Sequence, residues 1–119
     1  MAYIELQVET FDTGLVFGIF ECSSVTGGMK KVIAEGAELR YDNIFIRDAM
    51  GIPEIMNFTI TVAPNVAGGV IAGIIANWIY DKLKGKNVER IMIDRKEVQI
   101  EKGEITKVIS EKIEREINR

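Results

Sequence analysis

No charged residue occurs between Glu54 and Asp81, and this uncharged stretch constrains the fold more than any other feature of the sequence. Apolar and β-branched residues alternate in its first part, which predicts a strand over 57–63 because successive strand side chains point to opposite faces. Pro64 ends that strand, since proline has no N–H to donate to a ladder. The remainder of the stretch must therefore be a different element.

That element is predicted to be a helix over 66–84. Asn65 occupies the N-cap position, where its side-chain oxygen can accept from the first free backbone N–H groups. Gly85 suits the C-terminal end, and Lys82 and Lys84 complement the negative end of the helix dipole. A strand and a helix without charge predict elements that are buried in a common core.

A membrane span is a second interpretation of the same stretch. A spanning helix needs about 20 consecutive apolar residues, and only 66–80 qualifies as uninterrupted apolar helix. We therefore expect no membrane association.

An anion site is a third interpretation, because the turn over 64–69 places free N–H groups between a strand and a helix. The spacing matches neither the dinucleotide fingerprint nor the phosphate-binding loop. Asn65, Gly68 and Gly69 are the residues of this turn that would bind a small ligand or a phosphate.

Close packing explains the composition of the helix best. Glycine costs about 1 kcal/mol relative to alanine in a helix, so several glycines need a compensating contact. A helical wheel predicts that the bulky arc enters the core, while the small arc lets the sheet or an identical helix from another chain approach closely. The small arc contains Gly68, Gly69, Ala72, Gly73 and Ala76, and the bulky arc contains Val70, Ile71, Ile74, Ile75 and Trp78.

The N-terminal half is patterned less clearly. Alternation predicts a strand over 3–9. An apolar run follows at 15–21, which suits a strand or a short buried helix and is counted here as a strand. Helical spacing predicts a short helix over 29–39, and 41–50 is predicted to be an irregular strand.

The last third predicts a hairpin and a helix. Strands over 88–94 and 97–101 flank a turn, and an amphipathic helix follows over 104–118. If Arg95 and Lys96 form the loop, one face of the hairpin is apolar. The register that follows pairs Ile93 with Val98, Ile91 with Ile100, and Arg90 with Glu101.

Together these segments predict one α+β domain over 1–119. We expect a mixed or antiparallel sheet of four to five strands, with helices 66–84 and 104–118 packed on one face. With 47% apolar residues, such a domain can build a core without disulfides, metals or cofactors.

Composition excludes several classes of function. The net charge is −3, and basic residues are interleaved with acidic ones, so a nucleic-acid partner is not expected. Cys22 is the single cysteine and histidine is absent, which removes disulfides, zinc clusters and the commonest general base. The N-terminus lacks a secretory pattern, so a reduced, cytoplasmic setting is expected.

The acidic and hydroxyl side chains are the candidates for a catalytic or metal site. Asp42, Asp48 and Glu54 do not have calcium-loop spacing, and Ser23 and Ser24 lack a neighbouring base. We therefore predict no metal site, no cofactor and no catalytic residues, which favours a protein that is not an enzyme.

A mixed polar and aromatic patch is the remaining candidate for recognition. It contains Arg40, Tyr41, Arg47 and Asp48, and residues of this kind on a loop favour binding. Ordinary ion pairing within a loop explains the same residues.

The C-terminal half resembles small bacterial accessory modules that occur beside signalling ATPases and effector enzymes in conflict systems. The resemblance implies an adaptor without catalytic residues. It is carried by a Gly-rich helix that ends in Asn77-Trp78-Ile79-Tyr80-Asp81-Lys82-Leu83, by the hairpin strands Ile91-Met92-Ile93-Asp94 and Glu97-Val98-Gln99-Ile100, and by the final helix.

Two hypotheses for function follow. The first is a non-enzymatic protein-interaction or assembly module, which binds a partner or a second copy through an edge strand or an apolar helix face. The second is a small-ligand or phosphate-binding protein, or an enzyme of unusual type, that uses the turn at 64–69 together with Arg40 and Arg47.

Overall fold

The computed structural model describes residues 1–45, 51–64 and 68–117. These residues form one α+β domain of six strands and three helices. In chain order the elements are β1 (Ala2–Thr10), α1 (Leu15–Phe20), β2 (Lys30–Ala34), β3 (Ala37–Phe45), β4 (Glu54–Val62), α2 (Gly68–Leu83), β5 (Val88–Ile93), β6 (Lys96–Val98) and α3 (Lys102–Ile117).

The described strands form one antiparallel sheet in the order β2-β3-β4-β1-β5-β6. β1 is central because its alternating apolar residues pair along their whole length with β4, from Ala2 opposite Val62 to Thr10 opposite Glu54. The prediction of an antiparallel α+β sheet is confirmed, but the sheet has six strands rather than four to five.

The core lies between one face of the sheet and the helices. Ile4, Leu6 and Val8 of β1 are buried on this face, and the intervening residues point to the opposite face. Helix α3 contributes Ile105 and Ile109 to the same core. Within the described residues, the predicted strands over 3–9, 57–63 and 88–94 correspond to β1, β4 and β5, and the predicted helices over 66–84 and 104–118 correspond to α2 and α3.

The predicted helix over 29–39 is wrong, because this segment forms the hairpin of β2 and β3. Gly36 has φ of +86° and makes the turn, a conformation that suits glycine and ends a helix. Leu39, opposite Lys31, then joins the core through β3. Pairing with β4, which lies far along the chain, outweighs the local helical spacing. The predicted strand over 41–50 is β3 as far as Phe45, and 46–50 lie outside the described residues.

The strand counted over 15–21 is also wrong, because the segment is helix α1. Its buried residues are Leu15, Val16, Ile19 and Phe20, which have helical spacing. Glu21 ends the helix in the left-handed region, and its carboxylate lies 2.7 Å from Lys82 Nζ. Phe20 packs edge-to-face on Tyr41 of β3, and the other buried residues join the same core, so burial of this one face selects the helix over the strand.

The predicted register of the last hairpin is wrong by two residues. Asp94 and Arg95 form the loop, so that Ile93 pairs with Lys96 and Ile91 with Val98. Both loop residues have positive φ, 51° and 68°, as in the turn that matches strand twist best. A shift of two residues keeps the apolar side chains on one face, so the pattern alone did not distinguish the two registers.

The prediction that the bulky arc of α2 enters the core is wrong for two of its members. Val70 and Ile74 are exposed, whereas Ile71 and Ile75 are buried beside Ala72 and Ala76. Gly68 approaches α3, where an added Cβ would lie 3.2 Å from Ile113 Cγ2. Nothing lies within 4 Å of the Cβ position of Gly69 or Gly73. The buried face of α2 is thus a mixture of large and small side chains.

A candidate interaction surface on the uncovered sheet face

The side of the sheet that points away from the helices is the candidate functional surface, and we call it the uncovered face. No helix among the described residues packs across it, although the C-terminal part of α3 reaches its edge, where Arg115 lines a cleft together with Tyr3 and Arg40. Strand registers arrange its side chains in rows across the sheet, and one row consists of Val32, Glu38, Thr61 and Tyr3. The uncovered face thus presents ordered polar side chains beside apolar ones.

Three large side chains are exposed on this face. Val32 is 68% exposed, Phe45 is 63% exposed and Tyr3 is 53% exposed. An antiparallel sheet tolerates a solvated face when that face is polar. Burial of exposed aromatic and aliphatic side chains against a partner, in contrast, is energetically favourable. They are the apolar component of the candidate surface.

A polar network lies between these side chains. Arg40 Nε donates to Asp42 Oδ1 at 2.7 Å, and the Thr59 hydroxyl donates to Asp42 Oδ2 at 2.6 Å. The register irregularity between Tyr41 and Asn43 allows Asp42 to reach both partners. Because the guanidinium and carboxylate already hold each other, their positions are fixed before any partner binds.

A second network lies at the other end of the face. Arg90 contacts the carboxylate of Glu9, which is buried, and lies 3.7 Å from Glu97. Between the two networks, Asn57 Nδ2 donates to Asn43 Oδ1 at 2.7 Å. Preorganised polar groups of this kind contribute specificity more than affinity to an interface.

The N-terminal half of β1 borders a shallow polar cleft of about 710 Å³. Its lining residues are Tyr3, Glu5, Arg40, Thr59, Asp94, Arg95, Lys112, Arg115 and Glu116. Lys112 Nζ lies 2.9 Å from both Asp94 and Glu116, and hydrogen bonds to Glu116 and then Asp94 raise the pKa of Lys112. Ion pairs within the cleft therefore balance much of its charge.

The predicted patch of Arg40 and Tyr41 is divided between the two faces. Arg40 lies on the uncovered face, whereas Tyr41 is buried in the core between the rings of Phe20 and Phe58. Burial, and then the carboxylate of Glu54, raises the pKa of the Tyr41 phenol. Arg47 and Asp48 lie outside the described residues.

The turn at 64–69 is described only in part. Asn65 lies outside the described residues, Gly69 is exposed, and Gly68 faces α3. Of the residues proposed for close packing, Ala72 and Ala76 are buried and Gly73 is partly exposed.

The described residues contain no group of three or more Cys, Asp or Glu placed to hold a metal ion. Cys22 is exposed, and its thiol donates to the carbonyl of Ser24 at 3.2 Å. None of the described helices is long and apolar enough to cross a bilayer.

Sequence patterns alone do not identify the exposed apolar residues of the uncovered face. Tyr3 alternates with buried residues of β1, so its outward direction was available from the strand pattern. Val32 was assigned to a helix, and Phe45 was placed in an irregular strand without a face. The missing information was the pairing partner, which comes from β4 and not from local sequence.

Comparison of the chain with protein-family models, with curated proteins and with solved structures finds no match. Any proposal for its function must therefore be argued from its own side chains.

Proposed function

We propose that the chain is a small non-enzymatic protein-interaction module that binds another polypeptide on the uncovered face of its sheet. The partner is a different protein or a second copy of the chain. The observation that carries this proposal is the exposure of Tyr3, Val32 and Phe45 on a face where no described helix packs.

The composition of the face supports a protein partner. Interfaces are enriched in aromatic residues and arginine and are surrounded by polar groups. Here exposed Tyr3 and Phe45 lie on the same face as Arg40, whose guanidinium is already oriented by Asp42 and Thr59. The adaptor role implied by the resemblance of the C-terminal half agrees with this proposal, as does a reduced, cytoplasmic setting.

The test is the mass of the complex that the tagged chain forms in its native cells, measured by sedimentation velocity after purification. We expect the wild-type chain to form a defined complex and the double variant Val32→Ser/Phe45→Ser to sediment as a monomer. Phe17→Ser is the matched control, because Phe17 is exposed on α1 rather than on the sheet. A monomeric wild-type chain, or a complex that the double variant preserves, would contradict the proposal.

A further inference from the structure

A second surface of the molecule has the form of a peptide groove. It lies between β6, which is the last strand of the sheet, and the outer side of α3, and it has a volume of about 790 Å³. The groove is lined by Glu89, Arg90, Lys96, Glu97, Val98, Gln99, Ile100, Glu101, Glu104, Lys107, Val108 and Glu111. An exposed strand edge beside a helix is one arrangement that binds extended peptides by strand addition.

The free edge of β6 offers backbone groups to a further strand. Ile93 and Lys96 flank the two-residue loop and pair with each other through backbone hydrogen bonds. Because these bonds alternate along an antiparallel pair, the next residue, Glu97, directs its N–H and C=O away from β5. The next outward carbonyl, that of Gln99, already accepts from the N–H of Glu101 at 2.8 Å. Glu97 is therefore the point at which an added strand would form its backbone hydrogen bonds.

The floor of the groove is apolar. Val98 is buried, and Ile100 and Val108 are partly buried against the core. Because side chains of an extended peptide alternate in direction, every second one would lie on this floor while the others point to the rim.

The rim carries an excess of negative charge. The lining contains five glutamates against two lysines and one arginine, and Arg90 is already engaged by Glu9 and Glu97. No ion pair within the described residues involves Glu89, Glu101, Glu104 or Glu111. The negative charge of the groove therefore attracts positively charged groups, and this attraction steers and orients a basic partner.

We propose that this groove binds an extended peptide segment of a protein partner, in which lysine or arginine alternates with apolar residues. Glu97 would pair with its backbone, the floor of Val98, Ile100 and Val108 would hold its apolar side chains, and Glu104 and Glu111 would face its basic ones. The inference goes beyond the proposed function, because it concerns a different surface and a different partner segment.

The test uses the full chain, labelled with ¹⁵N, and the probe acetyl-Lys-Val-Lys-Val-Lys-amide. We expect saturable shifts of backbone amide signals from β6 and from the outer side of α3, and weaker binding as salt concentration rises. The peptide acetyl-Glu-Val-Glu-Val-Glu-amide has the same length and floor residues, and we expect it not to bind.

Two sets of substitutions distinguish the contribution of the backbone hydrogen bond to peptide affinity from the contribution of the charged rim. Glu97→Pro removes the outward N–H without removing a ladder hydrogen bond, and we expect binding of the basic peptide to weaken by about tenfold. Glu97→Ala, which keeps the N–H, controls for the lost carboxylate. Glu104→Gln/Glu111→Gln should weaken binding by about fivefold, whereas Glu114→Gln, exposed on α3 but outside the groove, should not.

Three results would overturn the inference: no saturable shifts in the groove, equal binding of the acidic peptide, or unchanged affinity in the glutamine double variant. If Glu97→Pro perturbs the whole spectrum, the glutamine variants decide on their own. Failure of peptide binding would leave the complex formed through the uncovered face unaffected, so the two proposals fail separately.

Discussion

Asp94 connects the turn of the last hairpin to both β1 and α3. Its N–H donates to the carbonyl of Glu5 at 2.9 Å, and its Oδ1 accepts from the N–H of Glu5 at 3.1 Å. Its Oδ2 lies 2.9 Å from Lys112 Nζ on α3. One side chain thus joins the turn, β1 and the last helix.

Replacement of Asp94 tests that role. We expect Asp94→Ala to lower the free energy of unfolding by about 2 kcal/mol, because the partly buried Lys112 ammonium loses one of its partners and the Glu5 N–H loses its acceptor. Urea denaturation measures the change. Arg95→Ala is the control, since Arg95 is exposed in the same turn and also has positive φ. Equal effects of the two changes would contradict the role given to the carboxylate.

Tyr41 makes stability depend on pH at the alkaline end. Burial and the Glu54 carboxylate raise its pKa above the ordinary 10.0, so the phenol ionises first in the unfolded chain as pH rises. The unfolded state then binds fewer protons than the folded state, and stability falls as pH passes from the ordinary to the raised pKa. Below the ordinary pKa this contribution to stability is fully present.

Tyr41→Phe removes this titration. We expect the urea midpoint of the variant to fall less steeply than that of the wild type above the ordinary tyrosine pKa. Tyr3→Phe, which alters an exposed ring on the uncovered face, should retain the wild-type slope. Parallel curves for Tyr41→Phe and the wild type would show that burial of the phenol does not govern the alkaline transition.

At the scale of elements, α2 shows both the reach and the limit of sequence reasoning. The absence of charge between Glu54 and Asp81 correctly placed a strand and a helix in the core. The wheel sorted side chains by size, but burial depends on the direction of the sheet and α3, so exposed Val70 and Ile74 were assigned to the wrong side.

Two glycines of α2 provide a matched comparison. Gly73 has nothing within 4 Å of its Cβ position, whereas at Gly68 a Cβ would lie 3.2 Å from Ile113. We expect Gly73→Ala to raise the free energy of unfolding by about 1 kcal/mol and Gly68→Ala to give a smaller gain or a loss. Urea denaturation decides. A loss for Gly73→Ala would indicate that another chain packs against the small residues of α2.

The hairpins illustrate why the remaining elements were not predictable. β2 and β3 carry helical spacing, and only the turn at Gly36 and the pairing of β3 with β4 decide for strands. In the last hairpin, both possible loops preserve the same apolar face, so the choice rests on backbone geometry at Asp94 and Arg95. Periodicity reports which side of an element is buried, but not its partner or register.

At the scale of the whole molecule, the buried residues of all three helices belong to one core on one face of the six-stranded sheet. The sequence was sufficient for the fold class and for the central strands β1, β4 and β5. It was insufficient for the candidate surface, because Tyr3, Val32 and Phe45 come from three strands that only the complete sheet brings to one face. The central claim of a protein-binding face therefore belongs to this scale.

Site-specific photo-cross-linking tests that claim most directly. A photoreactive phenylalanine is placed at Phe45, on the uncovered face, or at Phe17, on the exposed side of α1. After irradiation in the native cells, we expect the Phe45 position to give one specific protein adduct, a partner or a second copy, and the Phe17 position to give none. Adducts at Phe17 alone, or at neither position, would contradict the account.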